Sequence, residues 1–148
     1  MQKKFKVTTK FILSAFLACG ALISLTKVTT ASANNFKDTI FHFNFSNRME
    51  YTVPREKADN SKLYMKCNNM SVDGATYTAH VIGTNNPSAM GADCSRGYTY
   101  KLAKGSTYYL TNWVKENGYT FARIGASPNY SYNITASGIW SPDNYSEK

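Results

Sequence analysis

Apolar and polar residues alternate with a period of two through most of the chain beyond residue 38. Phe41, Phe43 and Phe45 are separated by His42 and Asn44, the pattern of a strand with one buried face. Leu63, Met65 and Cys67 alternate with Tyr64 and Lys66, and Tyr77, Ala79 and Val81 with Thr78 and His80. Tyr98, Tyr100 and Leu102 alternate with Thr99 and Lys101, and residues 106–114, 119–125 and 130–140 read as further strands. Asp73-Gly74, Lys104-Gly105 and Asn117-Gly118 supply turns between them. The last pair is the sharpest hairpin cue, because both residues accept the positive φ of a type I′ turn. No stretch carries an apolar stripe at helical spacing. The pattern predicts an all-β fold, an antiparallel β-sandwich or squat barrel of about seven to eight strands.

The first 33 residues follow a different rule. Lys3, Lys4, Lys6 and Lys10 precede an apolar run over residues 11–25, and Ala31-Ser32-Ala33 follows. A basic segment, an apolar segment and a small-residue site in that order are an export signal, with cleavage expected after Ala33. The apolar run of 15 residues is shorter than the roughly 20 that span a bilayer as a helix. A retained anchor and lipidation at Cys19 are the alternatives. The expected organisation is a signal helix over 1–33 and one β-domain over 34–148, released outside the cell without stable membrane insertion.

Removing the signal changes the charge. The whole chain carries +8, but five of its 17 basic residues lie before residue 28 and all nine acids lie after residue 37. The remainder carries 12 − 9 = +3, too little to imply nucleic-acid binding. Of three cysteines, Cys67 and Cys94 remain. Outside the cell such a pair reads as a disulfide, closing a loop of 28 residues and contributing about 3–4 kcal/mol. A zinc site from these cysteines with His42 and His80 lacks the paired ligand spacing zinc sites show. No metal and no cofactor is expected.

Candidate chemistry is sparse. His42 and His80 are the only histidines and fall on polar faces of expected strands. No nucleophile motif accompanies them, and Asp38, Glu50, Glu56, Asp59, Asp73, Asp93, Glu116, Asp143 and Glu147 are scattered. The aromatic residues are the unusual feature, since all 11 tyrosines and both tryptophans follow the signal. Tyr109 and Trp113 would share one face of the 106–114 strand, with Tyr108 on the other; Tyr130 and Tyr132 would share another face. Flat amphipathic rings suit a sugar or a partner surface, and equally suit a core closed by hydroxyls at its rim. Tyr108, Tyr109, Trp113, Tyr130 and Tyr132 are therefore the candidate ligand-binding residues.

The run Ser137-Gly138-Ile139-Trp140-Ser141-Pro142-Asp143, with Thr111-Asn112-Trp113-Val114-Lys115-Glu116-Asn117-Gly118-Tyr119 before it, resembles a group of small secreted proteins of Gram-positive bacteria with no established activity. The resemblance implies an extracellular, non-enzymatic role and transfers no catalytic residue. Physically, Gly138 permits close backbone approach, Trp140 can plug the core, and Pro142 stops a strand. The expected function is binding of an envelope component, such as a cell-wall polymer, or of a partner protein. A bacteriocin-like, membrane-active toxin is the alternative, and a small hydrolase using His42 or His80 is a third.

Overall fold

A computed structural model describes residues 35–144. The expected signal segment, its cleavage site and Cys19 lie outside the described residues. No helix among the described residues is long and apolar enough to cross a membrane.

Ten strands occur in chain order: β1 Thr39–Phe45, β2 Glu50–Tyr51, β3 Arg55–Glu56, β4 Leu63–Met70, β5 Tyr77–Thr84, β6 Ala92–Asp93, β7 Tyr100–Leu102, β8 Thr107–Leu110, β9 Phe121–Pro128 and β10 Ile134–Ser141. They form two antiparallel sheets. Sheet A has the order β1-β10-β4-β8; sheet B has β2-β9-β5-β6, with β3 also on β9 and β7 also on β5. The fold is a β-sandwich and not a closed barrel. The strands beyond the expected number are the two-residue pieces β2, β3 and β6, too short for any alternation to show.

The core lies where the alternation puts it. Phe41, Phe43 and Phe45 of sheet A face Tyr77 of sheet B, with Phe43 edge-on to Tyr77 at 5.8 Å and Phe45 tilted against it at 5.5 Å. Large residues meet small ones. Phe41 pairs with Gly138 and Phe43 with Ala136 across β1–β10, and Ala79, Ala122 and Ala126 line sheet B beneath them. Such interdigitation is what dense packing requires.

Gly138 carries the tightest approach. Beside it the β10–β4 register slips, so that Ser137 pairs with Asn69 and Gly138 with Cys67, which leaves Asn68 as the extra bulge residue. A Cβ on Gly138 would meet the Lys66 carbonyl oxygen and the Phe41 ring. Trp140 is 1% exposed, and β10 ends one residue before Pro142. The Ser137–Asp143 run is thus a structural element of the sandwich.

Two local expectations are corrected. The 106–114 strand stops at Leu110, so Trp113 does not share a strand face with Tyr109. Asn117-Gly118 does not close a type I′ hairpin. Tyr119 N donates to Val114 O at 3.0 Å, Gly118 N to Lys115 O at 2.9 Å, and Gly118 alone takes a positive φ, +77°. These paired bonds around a left-handed glycine terminate a single helical turn in a Schellman motif.

The Cys67–Cys94 disulfide is also corrected: both thiols are free and buried. Cys67 is on β4 with its sulfur against the Tyr77 hydroxyl. Cys94 follows β6 and packs where a Gly83 side chain would stand, beside Tyr119 and Asn117. The two sulfurs therefore have different neighbours, the Tyr77 hydroxyl for Cys67 and Gly83, Tyr119 and Asn117 for Cys94. Burial raises the pKa of both thiols, so the reactive thiolate is disfavoured at each.

Candidate binding surface

The candidate site is built on a buried ion pair. Lys57 Nζ lies 2.8 Å from Asp143 Oδ1, and both side chains are 0% exposed. The other carboxylate oxygen accepts from Asn35 N at 2.8 Å and Ala58 N at 3.0 Å. Lys57 also donates to Ser61 O at 2.6 Å. Desolvation lowers the Lys57 pKa, opposed by Asp143. Asp143, the last residue of the run ending in Trp-Ser-Pro-Asp, thereby ties the chain after β10 to the segment before β1 and the segment after β3.

Arg55 extends the clamp. It donates to Lys37 O and to Asn35 Oδ1, each at 2.6 Å, with its guanidinium 5.6 Å from the Trp140 ring centroid. Asn35 Nδ2 donates to Glu56 O at 2.8 Å. Both neighbours of Phe36 are therefore pinned. Phe36 itself is 51% exposed, a large apolar ring held out toward solvent by bonds on either side.

Below it, the outer face of sheet A supplies two more rings. Tyr64 on β4 pairs directly with Tyr109 on β8, their ring centroids 5.7 Å apart. Phe36, Asp38, Tyr64, Tyr109 and Asn144 line an open depression of about 300 Å³. Burial, then Asp38 and Tyr109, hold the Tyr64 phenol above its ordinary pKa. Three rings with a carboxylate at the rim offer apolar faces and a hydrogen-bond acceptor side by side.

The expected aromatic residues do not form one surface. Tyr109 belongs to this depression. Tyr108, exposed at the sheet edge, meets Tyr100 at 5.5 Å, whose hydroxyl accepts from Thr111 N at 2.8 Å; this pair borders the seam between β7 and β8. Trp113 stacks with Tyr98 beyond β8. Tyr130 and Tyr132 pair at 5.1 Å on the β9–β10 connection. Sequence reasoning missed Phe36, Asp38 and Tyr64. The cross-strand partner Tyr64 was visible only once β4 and β8 were known to be neighbours, and Phe36 precedes the first alternation.

His42 and His80 point away from the core, each on its own sheet. His80 packs over Gly125, its cross-strand partner on β9, where a Cβ would touch the imidazole. Among the described residues no group of three His, Cys, Asp or Glu side chains could hold a metal ion.

A two-sheet sandwich with aromatic pairs on its exterior defines the class of this protein. The chain belongs to the DUF2712 family of proteins of unknown function, which it matches over residues 29–144. No curated protein and no solved structure matches it.

Proposed function

We propose that this protein is an exported, non-enzymatic domain that binds a carbohydrate polymer of the cell envelope through the outer face of sheet A. One observation carries the reading: Phe36, half exposed, is pinned on both flanks above the Tyr64–Tyr109 pair. About half of the Phe36 ring stays open to solvent on a backbone that is ordered at an entropic cost, so an apolar face is held in place for a partner. A sugar's C–H face uses such rings, and the Asp38 carboxylate at the rim supplies an acceptor for its hydroxyls. Export follows from the segment pattern before residue 34.

The test is co-sedimentation of the purified protein with isolated cell wall and with anionic lipid vesicles. Pelleting with wall, weakened about tenfold or more by Tyr109→Ala and by Phe36→Ala at unchanged Tm, is expected. Pelleting with vesicles alone would replace this reading with a membrane-active one. No pelleting with wall, or pelleting indifferent to both substitutions, would refute it.

A further inference from the structure

The turn Ser95–Tyr98 joins β6 to β7. Tyr98 N donates to Ser95 O at 2.9 Å, and both central residues are left-handed, Arg96 at φ +47° and Gly97 at φ +85°. This is the pattern of a type I′ turn, whose first central position ordinarily takes Asn, Asp or Gly. A long side chain is strained there, because its Cβ crowds the backbone. A residue kept in such a conformation points to a use for its side chain.

What the conformation delivers is position. Arg96 Cζ lies 4.6 Å from the Trp113 ring centroid. Tyr98 stacks on the same indole at 5.8 Å and 26°, and is 54% exposed. The indole is carried on a fixed turn: Trp113 N donates to Cys94 O at 2.9 Å, and Asn117 N to Trp113 O at 3.0 Å. Among the described residues the Arg96 guanidinium has no hydrogen-bond or ion-pair partner. Asp93, nearby in the chain, accepts from Ser95 N instead, at 2.6 Å. Arg96, Gly97 and Tyr98 line an open hollow of about 280 Å³.

We propose that Arg96, Tyr98 and Trp113 form a second binding site, for a sugar bearing an oxyanion, either phosphate or carboxylate. A guanidinium lying on an indole keeps its N–H groups directed sideways, where two of them bind an oxyanion in parallel. The exposed Tyr98 ring offers its face to the sugar's C–H groups. A neutral sugar leaves the guanidinium unused, and a bare anion leaves the ring unused. This site shares no residue with the depression on sheet A and stands independently of it.

The test is a fluorescence titration of the purified protein. Trp140 is 1% exposed, so a bound ligand alters the emission of Trp113. The probes are glucose 6-phosphate, glucuronate, glucose and inorganic phosphate at constant ionic strength. A saturable change is expected with at least one anionic sugar, about tenfold tighter than with glucose or phosphate. The anionic sugar that responds tells phosphate from carboxylate. Arg96→Asn should abolish the change while melting no lower than the parent, since Asn accepts the left-handed conformation. Tyr98→Ala should weaken it. No saturable change with either anionic sugar, equal affinity for glucose or free phosphate, or a response that survives Arg96→Asn would overturn the proposal.

Discussion

Removing the Asp143 carboxylate should cost far more than removing the Lys57 ammonium, although the two form one ion pair. Asp143→Ala leaves a fully buried cation with Ser61 O at 2.6 Å and Asp59 at 3.8 Å as its remaining partners. Breaking a buried pair from one side costs about 3–5 kcal/mol. The substitution also strips Asn35 N and Ala58 N of their acceptor, adding about 1–3 kcal/mol because both sites are only partly buried. The sum, roughly 4–8 kcal/mol, is comparable to the whole stability of a domain this size, about 5–15 kcal/mol. Lys57→Met leaves the carboxylate still accepting two amides, so its cost should stay near the lower end, about 3 kcal/mol. The double variant should be less damaging than the sum of the singles, with an interaction energy of about 2 kcal/mol or more. Urea unfolding followed by tryptophan fluorescence measures all three, with Asp143→Asn standing in should Asp143→Ala not fold. Equal costs for the two single variants, or additivity within about 0.5 kcal/mol, would refute the clamp as described.

The remaining predictions are narrower. Cys67 and Cys94 should resist Ellman's reagent in the folded protein and react in urea, and Tm should be the same with and without reductant; a Tm lowered by reductant would mean that a disulfide forms. Gly138→Ala should destabilise by about 3 kcal/mol or more, because the added Cβ meets a backbone carbonyl that cannot move aside; a fall of under about 1 kcal/mol in urea unfolding would show that the bulge yields. Tyr100→Phe removes the acceptor for Thr111 N and should cost about 1 kcal/mol in the same assay. The Asp59 carboxyl feels a burial effect that raises its pKa, outweighed by Ser61 hydrogen bonds and Lys57, so its folded value lies below the ordinary 3.8. Its contribution is therefore fully present above that value and is lost as pH falls through the lower folded one. Asp59→Asn should flatten the acid limb of the Tm–pH profile, and an unchanged limb would count against the contact.

Period-two alternation determined that the chain is all-β, and it located β1, β4 and β5 with their inward residues, because burial of one sheet face dictates side-chain polarity directly. The structural role of Gly138, Trp140 and Pro142 was legible for the same local reason: each acts through the backbone or bulk of its own position. Partners were not legible. Whether Cys67 meets Cys94 depends on how β4 of sheet A and the segment after β6 of sheet B are set against each other, and two buried thiols look alike in sequence whether or not they touch. Asn117-Gly118 supports a hairpin or a Schellman stop equally well until the carbonyls of Val114 and Lys115 are placed. Tyr64 became part of a surface only through its register with Tyr109, and Phe36 only through Asp143 and Arg55, residues 107 and 19 positions away. Alternation records which side of a strand is dry, whereas strand order and register decide which side chains meet, and the aromatic surfaces of this protein are made by meetings between distant segments.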